Sequence, residues 1–295
     1  MKIGFIVNPI AGMGGRVGLK GTDDVLERAI QLGAKPVAPF RAIEFLRKLK
    51  TLELETDVTM ITCPGTMGED EAKATTFPVT TLPMPPKSET TAEDTKLAVK
   101  RMIEERADLI VFVGGDGTAK DILDAMQDVR MVPVLGVPSG VKMHSGIFAI
   151  NPSEAAEVVK AFSEGVSELM DFEIMDADEN AIRRDRFSVR LYGFLKGPFV
   201  PMRLQGSKQV SPETLDEHEN QMAAARFIVE NMDSNGTYIL GPGTTIKCVA
   251  DLLGVEKTLL GVDIYRDKTV IKDVNERRIM QKIRNFHNTW IIVSP

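Results

Sequence analysis

The sequence predicts an α/β fold: an open, doubly wound parallel sheet in the N-terminal part, followed by a mixed, β-rich α+β second domain. Short apolar runs alternate with amphipathic helical stretches through the first half, the pattern of a parallel sheet joined by crossover helices. The run Leu109-Ile110-Val111-Phe112-Val113 is apolar at every position, as a central strand covered on both faces requires. The chain of 295 residues is also long for one core and comfortable for two, since cores stop growing near about 250 to 300 residues. A border is therefore expected, dividing the chain into domains 1–168 and 169–295.

Taken in order, Lys2 to Val7 forms a strand that stops at Asn8-Pro9 and opens a loop holding Gly12, Gly14, Gly15, Gly18 and Gly21. Thr22-Asp23 can cap a helix whose apolar residues recur up to Leu32, with Gly33 as its stop. A helix near Arg41 to Lys50 and strands near Asp57 to Thr62 and Pro78 to Leu82 follow, before Pro83, Pro85 and Pro86 break the chain. A helix from Thr91 to Arg106 leads into the central strand. After the loop Gly114-Gly115-Asp116-Gly117-Thr118 come a helix near Lys120 to Met126 and a strand from Val132 to Val137. Asn151-Pro152 reads as an N-cap with proline at the first helical position, opening a helix to Glu164.

The second part begins with strands between Leu169 and Phe199, where Phe187 to Tyr192 alternates like a half-buried antiparallel strand. A helix near Glu213 to Asn231 precedes a strand at Thr237 to Leu240, the loop Gly241-Pro242-Gly243-Thr244-Thr245 and a helix to Leu253. Strands near Leu259 to Val262 and Trp290 to Val293 complete the chain.

Composition excludes several classes. A net charge of -6 and a pI near 5.3 leave no broad basic surface, so nucleic acid is not an expected partner. No apolar run approaches the roughly 20 residues that span a bilayer, and the apolar start turns polar at Asn8, too early for a signal peptide, so no membrane association and a cytoplasmic location are expected. Two cysteines, Cys63 and Cys248, make no disulfide framework, and three histidines without H-E-x-x-H spacing make no zinc site. His218, among Asp216, Glu217 and Glu219, reads as a solvated acidic helix start. A P-loop fails because Gly18-Leu19-Lys20-Gly21-Thr22 has lysine before glycine, a dinucleotide fingerprint fails at Val17, and Ser139 lacks the G-x-S-x-G elbow.

The chemistry concentrates where a strand runs into Gly114-Gly115-Asp116-Gly117-Thr118 and then a helix. Ligands of open α/β sheets bind beyond the carboxyl ends of strands, where helix N-termini present unpaired N–H groups. Gly114, Gly115 and Gly117 let backbone approach phosphate oxygens, and Thr118 offers a hydroxyl. Asp116 is a carboxylate where phosphates are expected. That conflict is resolved if it holds a divalent cation or acts as a general base toward an acceptor hydroxyl. Ser139 and Lys142, after the next strand, lie on the same edge, and Lys142 can neutralise phosphate charge or stand as a solvated surface lysine. Gly241, Gly243, Thr244 and Thr245 follow a strand and open a helix, so this loop can hold an anion at a helix N-terminus or serve as a plain turn.

Gly114 to Thr118 after an apolar strand resembles the signature of the NAD kinase and diacylglycerol kinase superfamily, with Asn8-Pro9 similar to its first-strand nucleotide loop. Pro133 through Gly140, Lys142, His144 and Phe148 to Asn151-Pro152, together with Tyr238 to Thr245, resembles the ATP- or polyphosphate-dependent NAD kinase-like proteins. The resemblance covers nearly the whole chain and is most specific in the five-residue loop. It implies a metal-dependent kinase that moves a phosphoryl group from ATP or polyphosphate to the ribose 2′-hydroxyl of NAD, giving NADP. Asp116 would be catalytic and a candidate metal ligand. Asn8, Gly114, Gly115, Gly117 and Thr118 would surround the donor phosphates, Mg2+ or Mn2+ would be the cation, and a dimer or tetramer the assembly. Relatives of this group continue past the final strand seen here. The Asn-Glu or Asn-Asp pair that binds substrate ribose in NAD kinases has no counterpart in the stretch after Val137, and Asn275-Glu276 falls near the end of the chain. A kinase for another small alcohol or a lipid, or a non-catalytic nucleotide-binding regulator of the same fold, therefore stands beside the NAD kinase reading.

Overall fold

A computed structural model describes residues 1–16, 26–54, 57–75, 78–85, 87, 90–127, 130–140, 143–177, 189–204, 215–283 and 286–294. The predicted capping pair Thr22-Asp23 and Lys142 lie outside these residues. The first sheet holds β1 (Lys2–Val7), β2 (Thr59–Thr62), β3 (Val79–Thr81), β4 (Leu109–Gly114) and β5 (Val134–Pro138) in the order β3-β2-β1-β4-β5, every pairing parallel. β4 is buried along its whole length, which is why its sequence shows no polar alternation.

β1 and β4 send alternate side chains to two separate cores. Ile3, Phe5, Leu109 and Val111 pack with α3 (Ala38–Thr51) and α7 (Pro152–Ser163), where Phe5 stacks on Phe45 with ring centroids 6.0 Å apart. Ile6, Ile110 and Phe112 pack on the other face with α5 (Ala92–Glu104) and α6 (Asp116–Ala125). Burying one such aromatic or branched side chain contributes roughly 1.5 to 3 kcal/mol, so the two-faced sheet is the main store of stability. The helices are punctuated locally. Thr91 and Asp94 form a reciprocal capping box on α5, Asn151 accepts the Glu154 N–H at the start of α7, and Gly33 and Gly165 end their helices at φ of +86° and +70°. The shorter helices of this part are α1 (Met13–Arg16), α2 (Leu26–Gln31) and α4 (Glu69–Lys73).

An antiparallel hairpin, β6 (Glu168–Ala177) and β7 (Val189–Phe199), comes next. Ile174 and Leu195 sit in the same core as α5 and α6, so that core extends beyond residue 168. The remaining sheet has the order β10-β9-β8-β11, built from β8 (Thr237–Leu240), β9 (Asp263–Arg266), β10 (Thr269–Ile271) and β11 (Thr289–Ile292). The β8–β11 pairing is parallel and the other two are antiparallel. Helices α8 (Leu215–Glu230), α9 (Thr244–Leu252) and α10 (Glu276–Lys282) belong to this part. Among the described residues no helix is long and apolar enough to cross a membrane.

Two expectations are corrected here. Leu259 to Val262 is not a strand, because the fully buried Asp263 carboxylate draws in the Thr258 N–H at 2.6 Å, the Thr258 hydroxyl at 2.9 Å and the Asp273 N–H at 2.7 Å, folding residues 258–262 into a loop. The strand starts at Asp263 instead and pairs with β10 through a turn at Asp267 and Lys268, both left-handed at φ of +49° and +58°. The helix expected from Lys120 starts at Asp116, which places Asp116, Gly117 and Thr118 in its first turn.

Candidate functional site

All strands of the first sheet point the same way, and the reversal of winding falls between β1 and β4. At such a switch point the loops leaving the two strands diverge to opposite faces, and the crevice between them is the usual ligand position in such sheets. Here the structure ties the two loops together. Asn8 Nδ2 donates to Thr118 Oγ1 at 2.9 Å, and the Asn8 backbone N–H donates to the Val113 carbonyl at 2.9 Å. Ser139 joins from the end of β5. Its N–H donates to the Gly114 carbonyl at 3.1 Å, and its own carbonyl lies so near Gly12 that an added Cβ would come within 2.2 Å. Ser139 is buried, yet its hydroxyl has no hydrogen-bond partner among the described residues, which leaves it able to donate to a bound group.

The glycines of the loop serve different ends. A Cβ on Gly114 would meet Thr118 Oγ1 at 2.6 Å, so this glycine lets the first turn of α6 fold back on its strand. Gly115 is extended, with φ of -125° and ψ of -170°, and an added Cβ would meet nothing nearer than Met143 at 3.8 Å. Neither conformation nor packing requires glycine there. What its missing side chain leaves is open space over the start of α6. As the N-cap residue Gly115 offers no capping side chain, so the first-turn N–H groups remain for an acceptor entering that space.

Asp116 is half-buried at the first position of α6. Its carboxylate reaches across to the segment after β5, where Oδ2 accepts the His144 N–H and Oδ1 the Ser145 N–H, each at 2.9 Å. Both oxygens retain a further lone pair for a proton or a cation. Among the described residues no three ionisable ligands converge into a cage for a metal. A Mg2+ ion does not require one, since it is commonly held by one or two carboxylates plus substrate phosphates. Asp116 fits that smaller role.

The structure thus brings together Asn8, Gly114, Gly115, Gly117, Thr118, Ser139 and Asp116. The predicted Gly241–Thr245 loop lies on the other sheet, where Gly241 N–H donates to the Ile292 carbonyl at 2.8 Å and Gly243 N–H to the Leu259 carbonyl at 2.9 Å. Gly243 needs its φ of +115° to cap α9, and Thr244 and Thr245 form the first turn of that helix. The rim after β2 escaped the sequence reading. There Gly68, at φ of +133°, is pressed against Thr62, and Glu69 accepts the Gly65 N–H at 2.9 Å. Next to it, burial pushes the Glu71 carboxyl up to about 7, and one of its oxygens has no hydrogen-bond partner among the described residues. The amides of His144 and Ser145 were also missed, because a backbone donor leaves no signature in side-chain type.

Comparison with known proteins agrees with this architecture. The NAD kinase family model, described as the ATP-NAD kinase N-terminal domain, matches residues 3–166. Among solved structures, an NAD kinase from Archaeoglobus fulgidus in complex with ATP is similar at 18% identity, with 60% of this chain and 43% of that chain covered and a TM-score of 0.23, a superposition too loose to transfer positions. This chain therefore spans less than half of that protein's length. No curated protein matches. The matched segment contains Asn8, the glycine loop, Asp116 and the amides that hold it, and on that match the chain belongs to the NAD kinase family.

Proposed function

We propose that the protein transfers a phosphoryl group from ATP or polyphosphate to the ribose 2′-hydroxyl of NAD, giving NADP. The observation that carries this reading is a carboxylate fixed by two backbone amides beside an uncapped helix N-terminus, behind a glycine that no packing explains. Phosphoryl transfer needs mainly positioning and charge neutralisation, and both can be assembled from these parts. The N–H groups opening α6 receive phosphate oxygens over Gly115. Asn8 and Thr118 hold the β1 and β4 loops at a fixed separation, and the Ser139 hydroxyl supplies a further donor.

Asp116 accepts the proton of the attacking hydroxyl as the new oxygen–phosphorus bond forms and the bond from the transferred phosphorus to the leaving phosphate oxygen breaks. The hydrogen bonds from His144 and Ser145 keep the carboxylate aimed, and each of its oxygens keeps a further lone pair for the proton. A divalent cation, held by donor phosphates and the spare Asp116 lone pairs, would neutralise the charge that develops on the phosphates. Lys142 is proposed as a further phosphate contact, as are Thr244 and Thr245 in the first turn of α9, the Gly241 and Gly243 N–H groups being already bonded within the chain.

The test is to incubate the protein with ATP and Mg2+, with and without NAD, and to quantify ADP and NADP. Equal amounts of both, appearing only with NAD, support the reading. ADP formed with glycerol, a lipid or another alcohol but not with NAD would replace the acceptor. ATP binding without turnover across all acceptors would overturn the kinase reading.

A further inference from the structure

The β6–β7 hairpin carries an irregularity beside Asp116. Ile174 pairs with Gly193 but Met175 pairs with Leu191, so Tyr192 is one residue extra on its strand, a β-bulge. Two consequences converge on α6. At the bulge the Met175 N–H leaves the ladder and donates to the Ser145 hydroxyl at 2.9 Å, with Ser145 and Met175 both buried. Ser145 in turn gives its own N–H to Asp116, and the adjacent Gly146 N–H donates to the Glu173 carbonyl at 3.0 Å. The segment that grips the carboxylate is thus held from behind by the hairpin. The extra residue, Tyr192, reaches the same helix two turns further on. Its hydroxyl donates to Asp124 Oδ1 at 2.6 Å, and Lys120 Nζ sits 4.6 Å from its ring centroid while pairing with Asp176 at 3.2 Å.

A bulge placed next to a reactive group commonly re-aims a side chain or a backbone donor. Resting on the phosphoryl-transfer reading, we infer that the bulge is a positioning device for Asp116, with Ser145 as the positioning residue that orients the amide pair and Tyr192 as the brace that fixes the helix. Neither side chain touches the crevice in this role. Ser145 acts by taking a hydrogen bond on its hydroxyl, which sets the direction of its N–H.

Three measurements on the full chain decide it. Hydrogen exchange of the His144 and Ser145 amides needs no turnover, and Ser145→Ala should speed it by about tenfold or more, while Ser145→Thr, which keeps the oxygen, restores protection. In turnover, Ser145→Ala should lower kcat by on the order of tenfold to a hundredfold with KM for ATP within about twofold of wild type, and Tyr192→Phe should lower kcat by a smaller factor. Added to Asp116→Asn, Ser145→Ala should cause no further loss, because its effect passes through that carboxylate. Unchanged exchange in Ser145→Ala overturns the inference, as does an unchanged kcat or a full additional loss in the double variant. Should Ser145→Ala fail to fold, Tyr192→Phe, at a partly exposed position, carries the same test of kcat against KM. Absence of turnover in the wild type would sink the kinase reading, and the exchange result would still decide whether Ser145 positions the carboxylate.

Discussion

Asn8 Nδ2 and Thr118 Oγ1 lie 2.9 Å apart although 110 residues separate them in sequence, and this bond fixes the spacing of the two loops that open the crevice. Thr118→Val keeps the shape and removes the acceptor, leaving the Asn8 amide group short of a partner. A stability loss of about 1 kcal/mol is expected from thermal unfolding. The KM for ATP should rise severalfold, because the β1 loop loses its tether.

Gly114 and Gly115 are adjacent, yet the structure assigns them opposite sensitivities. Gly114→Ala sets a Cβ 2.6 Å from Thr118 Oγ1 and should destabilise the fold by roughly 1 to 3 kcal/mol. Gly115→Ala meets only Met143 at 3.8 Å, so the melting temperature should hold within a degree or two while ATP affinity falls about tenfold, a loss of about 1.4 kcal/mol. Calorimetric melting and titration of ATP on the two variants check the contrast. Equal loss of stability in both would remove the argument that Gly115 is kept clear for a ligand.

Glu71 makes stability depend on pH near neutrality. Burial, with Asp70 close by, raises its carboxyl from 4.5 to about 7, so the folded chain holds a proton that the unfolded chain releases. The stability this contributes is complete below about 4.5 and is lost as pH rises through about 7. Wild-type melting temperature should therefore fall between pH 5 and pH 8, by the equivalent of on the order of 2 kcal/mol. In Glu71→Gln, which carries no titrating proton, that part of the slope should vanish. An unaltered slope in the variant would assign the pH dependence to other groups.

Cys63 is fully buried at the end of β2, and burial, with the nearby Asp94 charge adding, pushes its thiol up to about 12. Little thiolate exists at neutral pH, so maleimide or disulfide reagents should leave Cys63 unlabelled in the native protein and modify it on unfolding. Mass spectrometry of native and urea-treated samples reads this directly.

Much of the first sheet and its helices was legible because their signals are local. The all-apolar run into Gly114, the Asn151-Pro152 cap and the stop at Gly33 each act within a few residues, and the strands and helices they mark are where the sequence places them. The start of α6 was hidden because Gly117, a poor helix former, sits in its first turn. The β9–β10 hairpin was hidden because its turn uses left-handed Asp267 and Lys268 instead of glycine, and because Asp263 looked like loop material when it is the buried hub of Thr258 and Asp273. In the site, Asn8, the glycines and Asp116 announce themselves by type. The clamp on Asp116 is made by backbone amides of residues 144 and 145, whose direction is set by a bulge in a hairpin still further along the chain, and only tertiary structure reveals it.

Asp116→Asn is the most direct measurement. The substitution replaces one carboxylate oxygen with an amide that faces a backbone N–H, so a modest stability loss of about 1 to 2 kcal/mol should accompany it and ATP should still bind. NADP formation from ATP and NAD, followed at saturating substrate, should fall by on the order of a thousandfold or more, within the range by which positioned general bases accelerate reactions. A variant that binds ATP and forms NADP at the wild-type rate would contradict the assignment of this carboxylate to the transfer.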